Sequence, residues 1–281
     1  MPKIHIPERF GREIDQHLVM NLAGIDEWPL VLGIFGRPGD GKSFQARTHA
    51  AQCGAFVVSI NAADLESDRA GQPGKMVLAK YIEAGKRAEQ GQPAVLLVDD
   101  FDTTVGEWSN STSTVNHQQV LAQIMHLADS PTETAEGGVR RVPVIVTGND
   151  LSKIYPPLRR PGRMRVFTWE PTAVERATTV QTLLDGLVND ADVVSLLDRC
   201  PDAPVAFFAD LRTAVLADRA SDKIAKLASH LATLVKDPEA AKRDLTSHMT
   251  ARRGGNGAIV ELAQSEWARR QAAEISHLED R

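Results

Sequence analysis

The sequence predicts an α/β fold: a five-stranded parallel P-loop sheet sandwiched by helices and followed by a small all-helical domain. Three observations carry that prediction. Apolar runs rich in β-branched residues alternate with helix-length segments, the pattern of strands buried on both faces of a parallel sheet. A glycine-rich stretch, Gly36 to Ser43, stands between the first run and the first of these helices. After Trp169 no strand-like run recurs, and amphipathic segments follow one another.

The expected strands are Leu30 to Phe35, Ala55 to Ile60, Ala94 to Val98, Val142 to Thr147 and Met164 to Trp169. Between them, apolar residues at three- and four-residue spacing predict helices over Lys42 to Gln52, Gly74 to Gln90 and Val115 to Ala128. Thr172 and Glu175 form a capping signature that opens the second domain. Helices are expected there at Asp190 to Arg199, Pro204 to Arg219 and Asp222 to Lys236. Three glycines in Arg252 to Gly257 predict a linker, and Ala258 to Leu278 a last helix with Val260, Ala263, Trp267, Ile275 and Leu278 on one face. That face suits either its own domain or a partner. The expected division is 1–170 for the α/β core, 171–250 for the helical domain and 251–281 for linker and last helix.

Composition narrows the function. An apolar share of 42% and a charged share of 25% are those of an ordinary soluble domain. No stretch is apolar and long enough to cross a bilayer, and the first ten residues lack a secretory layout, so a cytoplasmic protein is expected. Cys53 and Cys200 are far apart, without Cys-x-x-Cys or Cys/His ligand spacing, which argues against a disulfide framework and a zinc site. A net charge of −5 argues against nucleic acid as the main partner, although Arg159, Arg160, Arg163 and Arg165 make a local basic strip.

Gly36-Arg37-Pro38-Gly39-Asp40-Gly41-Lys42-Ser43 fits G-x-x-x-x-G-K-[ST] in the context that motif needs, after a strand and at a helix start. Glycines let the backbone wrap phosphates, and the N–H groups of the loop and helix N-terminus supply the positive concavity. Lys42 adds a charge at the β and γ phosphates of ATP, and Ser43 offers its hydroxyl to Mg²⁺. The expected nucleotide-binding stretch continues to Phe44. The strand Ala94 to Val98 ends in Asp99 and Asp100, which strand alternation sends to opposite sides. Asp99 is assigned to the metal and Asp100 to the attacking water, with Asp102 a substitute for either. The polar tip of the next strand offers Asn149, or else Thr147, to position that water. Arginines flanking Pro161-Gly162 are framed to meet a phosphate, and if they point away from their own loop they serve only a neighbouring subunit.

These motifs, in this order and with a helical domain behind them, resemble the AAA+ ATPase family. Longer strings resemble its Rubisco activase branch, of the plant and cyanobacterial type. They are Gly41-Lys42-Ser43-Phe44-Gln45, Leu65-Glu66-Ser67 with Ala70-Gly71, Val115-Asn116, Ala128-Asp129-Ser130-Pro131-Thr132, Val142 to Asp150, Gly162-Arg163-Met164, and Phe207-Phe208 with Leu211-Arg212. The resemblance covers about residues 10–220. It implies a homo-oligomeric ring, commonly a hexamer, with Arg160 and Arg163 as arginine fingers reaching the next subunit. It implies that Arg212 touches the γ phosphate from the helical lid, and that Leu65 to Gly71 and Thr103 to Ser113 face a central pore. The client it implies is Rubisco, freed of inhibitory sugar phosphates. The first pore loop holds no aromatic residue and the second only Trp108, so limited pulling on a flexible segment is expected rather than global unfolding. Unlike plant activases, the chain reaches its ATPase core almost at once and has no C-terminal cysteines. Two other readings fit the same core: a loader acting on nucleic acid, and a module whose assembly ATP gates.

Overall fold

The computed structural model describes residues 4–65, 72–105, 115–250 and 257–279. The chain divides into two compact units, one spanning Ile6–Glu170 and the other beginning at Pro171.

In the first unit, helix α1 (Glu8–Leu22) leads into strand β1 (Val31–Phe35), helix α2 (Lys42–Gln52) and strand β2 (Phe56–Ile60). There follow α3 (Gln72–Glu89), β3 (Ala94–Val98), the short α4 (Phe101–Val105) and α5 (Val115–Asp129). A hairpin of two-residue strands, β4 (Glu133–Thr134) and β5 (Gly137–Gly138), precedes β6 (Val144–Gly148) and β7 (Met164–Thr168). The five long strands form one parallel sheet in the order β2-β3-β6-β1-β7. Every residue of β1, β3 and β6 is buried, whereas the edge strands β2 and β7 are partly exposed. That is why the central runs read as unbroken apolar strings. Alternate residues serve opposite faces: Leu96 and Val98 pack with Val77, Tyr81 and Ile124, and Val95 and Leu97 with Phe10, Ile14 and Ala46.

Helix α1, the one-turn helix α4 and the β4–β5 hairpin were not among the expected elements. Helix α1 buries Phe10, Ile14 and Leu18 at four-residue spacing, and the β4–β5 hairpin is too short to leave a periodic signature.

The second unit is helical: α6 (Ala173–Leu183), α7 (Asp190–Arg199), α8 (Val205–Arg219), α9 (Ser221–Ala228), α10 (Leu231–Lys236), α11 (Pro238–Thr250) and α12 (Gly257–Glu279). The Thr172–Glu175 capping box forms as read, and a second, Asn189–Asp192, opens α7. The helix expected over 222–236 is split at Ser229-His230. There the Ser229 hydroxyl donates to the Lys226 carbonyl, a local bond that competes with helix continuation. Ile259, Val260 and Ala263 of α12 are buried with Leu196, Phe207, Phe208 and Leu211, and the Trp267 ring lies 5.2 Å from that of Phe207. The last helix therefore docks on its own unit through this part of its face; the side chains of Ile275 and Leu278 lie outside the described residues.

Candidate nucleotide site

Parallel pairing in near-flush register brings the C-terminal ends of β1, β3 and β6 side by side, with Phe35 opposite Gly148 and Val98 opposite Val146. The chain order reverses here, since β1 lies between β6 and β7, and such a switch point opens a crevice for ligands. Everything leaving these three strands converges on one edge of the sheet.

At that edge the phosphate loop is shaped by its glycines. A Cβ on Gly36 would lie 2.1 Å from the Trp169 carbonyl oxygen, so no other residue lets the chain leave β1 here. Gly39 and Gly41 take φ of 78° and 73°, the left-handed region that turns the backbone into α2. Gly41 caps α2 without a side-chain hydrogen bond, which leaves the first N–H groups of the helix aimed into the loop. Arg37, Pro38 and Gly39 are exposed, Asp40 is buried, and Phe44 is exposed on the first turn of α2. The Lys42 ammonium is folded into the loop: it donates to the Gly36 and Arg37 carbonyls, each at 2.8 Å, and to Asn149 Oδ1 at 2.9 Å. Burial pushes its pKa below the ordinary value, against the opposing charges of Asp40, Asp102 and Asp100.

Beside the lysine runs a row of oxygens. Ser43 Oγ meets Thr147 Oγ1 at 2.8 Å, Thr147 donates on to Asp99 Oδ1 at 3.2 Å, and Asp99 Oδ2 accepts from Arg47 at 2.5 Å. Two hydroxyls and a carboxylate suit a hard cation such as Mg²⁺. Asn149 is thus tied to Lys42, and Thr147 to Ser43 and Asp99. Asp100 has φ 50°, the positive-φ non-glycine residue among those described, and its side chain is exposed at the strand end. Asp102 holds the neighbouring strand through one oxygen. Its Oδ2 accepts from the backbone N–H of Asn149 and of Asp150, both at 3.0 Å, which positions the tip of β6.

The arginines lie elsewhere. Met164 pairs with Val31, the first residue of β1, so Arg160 and Arg163 stand at the N-terminal edge of the sheet. A strand of this length, at about 3.3 Å per residue, separates that edge from the phosphate loop by roughly 16 Å. Neither arginine belongs to its own loop. Arg160 is exposed, and Arg163 makes a bidentate pair with Asp129 at 2.6 and 2.7 Å and donates to the Pro157 carbonyl at 3.0 Å. The expected basic strip is further reduced by Arg165, which pairs with Glu13 at 2.8 Å. Arg212, on α8 of the helical unit, donates to the carbonyls of Leu183 and Asp185. Trp108 and residues 66–71 and 106–114 of the expected pore loops lie outside the described residues.

Two supports of the site went unread in the sequence. Trp169 takes Phe35 as a backbone partner at 2.6 Å and donates from Nε1 to the Asp40 carbonyl at 3.2 Å, so one residue fastens both ends of the loop. Its ring meets Phe10 edge-on at 4.9 Å. Arg47, the ion-pair partner of Asp99, stands four residues after Ser43; that helical spacing was the available signal.

A family model described as "ATPase family associated with various cellular activities (AAA)" matches residues 32–172, half of the chain. This chain belongs to the AAA ATPase family. Nucleotide binding is the property its fold and loop imply. It resembles the activases of ribulose bisphosphate carboxylase/oxygenase (Rubisco). The chloroplastic activase of Phaseolus vulgaris is 40% identical over 199 residues, covering 68% of this chain and 45% of the relative. The activase of Anabaena sp. is 37% identical over 233 residues, 78% of this chain and 56% of the relative. The chloroplastic activase of Arabidopsis thaliana is 36% identical over 228 residues, 78% of this chain and 48% of the relative. The chain spans about half the length of the curated relatives it matches.

These comparisons correct the expected cytoplasmic placement. The relatives from bean, Arabidopsis, Zea mays and Larrea tridentata are chloroplastic by name. The expectation rested on the lack of a bilayer-crossing stretch and on the make-up of the first ten residues, neither of which carries information on compartment in a chain that spans half of its relatives. No helix among the described residues is long and apolar enough to cross a membrane.

Proposed function

We propose that this AAA ATPase binds ATP with Mg²⁺ in the Gly36–Ser43 loop, hydrolyses it within a homo-oligomeric ring, and uses the cycle to free Rubisco active sites of inhibitory sugar phosphates. The observation that carries this reading is the pair Lys42–Asn149 beside the chain Ser43–Thr147–Asp99 at one sheet edge, in a chain 37% identical to an activase over most of its length.

The residues divide the work. The loop N–H groups and the α2 N-terminus hold the phosphates, and Lys42 exchanges the carbonyls it now caps for phosphate oxygens. Ser43 and Asp99 hold Mg²⁺, which when bound neutralises charge building up on the phosphates. Asp100 takes the proton of the attacking water, and its strained backbone accords with such a role. Asn149 orients that water while fixed by the Asp102-anchored backbone. Arg160 and Arg163 of one subunit reach the nucleotide of the next, for which Arg163 must leave Asp129. Arg212 reads the γ phosphate from the helical unit and converts hydrolysis into movement of that unit. A hexameric ring would then pull on a flexible segment of the client without unfolding it.

The test mixes the protein and ATP with sugar-phosphate-inhibited Rubisco and follows carboxylation. Recovery that requires hydrolysable ATP and leaves the Rubisco native supports the proposal. ATP turnover without any recovery removes the client assignment and leaves the ATPase.

A further inference from the structure

A second cluster of potential ligands lies away from the phosphate loop, where α1 packs on the C-terminal end of α2. Asp15 of α1 meets His49 of α2 and Cys53, the residue that caps α2, and one donor atom of each lies within 4.8 Å of the others. His49 and Cys53 are four residues apart, one helical turn, so they share a face. Read along the sequence, that pair does not match the short Cys-x-x-Cys spacings of zinc sites, and the third residue is supplied only by the packing of α1.

The geometry points to a site for a zinc-class divalent ion held by Asp15, His49 and Cys53. His49 Nε2 lies 2.7 Å from Asp15 Oδ1, and the Cys53 thiol donates to the same oxygen at 3.3 Å. Two protons are therefore aimed at one carboxylate oxygen, and a single cation placed among the three groups replaces both. Zinc at about 2.0 Å from nitrogen and oxygen and 2.3 Å from sulfur needs donors separated by about 3.3–3.7 Å, so the two distances to Asp15 need change by only about half an ångström, and rotation of the His49 and Cys53 side chains closes the third. The thiol proton leaves to solvent, and His49 shifts its remaining proton to Nδ1, freeing the Nε2 lone pair. One thiolate and one carboxylate then balance the charge of the divalent ion. A thiolate in the set selects against Mg²⁺ and for zinc or its spectroscopic substitute cobalt.

The ring is also seated. A Cβ on Gly11 would lie 2.8 Å from His49 Cε1, so the absence of a side chain at Gly11 is what lets the imidazole lie against α1 and face Asp15. Three protein donors leave a fourth position for water or a ligand from elsewhere. Burial, followed by the hydrogen bond and charge of Asp15, raises the metal-free thiol to a pKa of about 11, which makes Cys53 a poor nucleophile until a cation reverses the local charge. Because α2 starts at the phosphate loop, the ion would staple the nucleotide-binding helix to α1.

The experiment titrates Co²⁺ into chelator-treated protein free of nucleotide and Mg²⁺, reads the thiolate-to-cobalt absorption, and displaces it with Zn²⁺. One equivalent per chain is expected, with a zinc-dependent rise in thermal midpoint. Cys53→Ser and His49→Ala should each weaken binding by more than the ~100-fold upper cost of losing an outer-shell partner. Gly11→Ala, which removes no donor, should weaken it by displacing the ring. A thiolate band retained in Cys53→Ser would trace the metal to Cys200 and overturn the assignment, as would a wild-type titration with no such band. Circular dichroism of each variant separates lost binding from lost folding.

Discussion

The two edges of the central sheet are built from similar residues and do opposite things with them. At the C-terminal edge, Ser43, Thr147 and Asp99 hold one another through single hydrogen bonds, and Lys42 rests on Asn149 and on carbonyls of its own loop. Each of these bonds is one that a phosphate or a cation can take over. At the N-terminal edge Arg160 is exposed, but two other arginines are closed off. Arg163 is locked to Asp129 by two bonds, and the buried Arg141 donates to Asn21 at 3.0 Å and to the Trp28 carbonyl. Asn21 in turn bonds His17, whose Nε2 donates to the Val144 carbonyl at 3.0 Å. A polar group poised for a ligand is one whose present partners are weak and replaceable; a polar group that holds a fold is one whose partners are buried with it.

The sharpest way to break this contrast is at Lys42. Lys42→Ala should lower ATP turnover by more than about 100-fold, as loss of a preorganised charge at a reacting phosphate does, with unchanged far-ultraviolet circular dichroism. Retained turnover would mean that the C-terminal edge is not the site. The same edge depends on its back wall: Trp169→Ala should cost about 3–5 kcal/mol of stability in denaturant unfolding and weaken nucleotide binding, because it opens the core and unfastens both ends of the loop.

The opposite edge is tested by pH. Burial first of all, with the nearby Arg165 and Arg141 charges, holds the His17 pKa down at about 3 despite its carbonyl hydrogen bond. The unfolded chain takes up a proton near pH 6.5 that the folded chain refuses until about 3. Stability is therefore complete above pH 6.5 and falls as pH drops through that window, by about 1.4 kcal/mol per unit. Unfolding measured at pH 7 and pH 5 should show the slope, and His17→Gln should flatten it. The smallest effect is expected where the ligand edge meets solvent. Arg47 is half exposed, so Arg47→Ala should change the Mg²⁺ concentration for half-maximal turnover by no more than about five-fold.

How much of this was legible in the sequence follows the same division. The loop Gly36–Ser43, the carboxylates after β3 and the tip of β6 were legible because each sits at the end of an apolar run whose period names it a strand. The partners were not. Asp102 reads as a third candidate acid, and its hold on the Asn149 and Asp150 N–H groups is decided only by the packing of β3 beside β6. Trp169 reads as the last residue of a strand, and its hold on the loop depends on β7 pairing with β1. Arg163 reads as a free guanidinium because Asp129 is 34 residues earlier in the chain. The Asp15–His49–Cys53 cluster was missed for the same reason: two helices must pack before its three donors meet.

The claim that the two edges work on each other across a subunit boundary is tested most directly by mixing inactive chains. Lys42→Ala chains and chains carrying both Arg160→Ala and Arg163→Ala should each be nearly inactive as ATPases, the second because arginine fingers contribute about 10³- to 10⁵-fold. Co-assembled in equal amounts, about a quarter of their interfaces pair an intact loop with intact arginines, and turnover should recover to that fraction of the unaltered protein. No recovery on mixing, or full activity of the double arginine variant alone, would contradict the account.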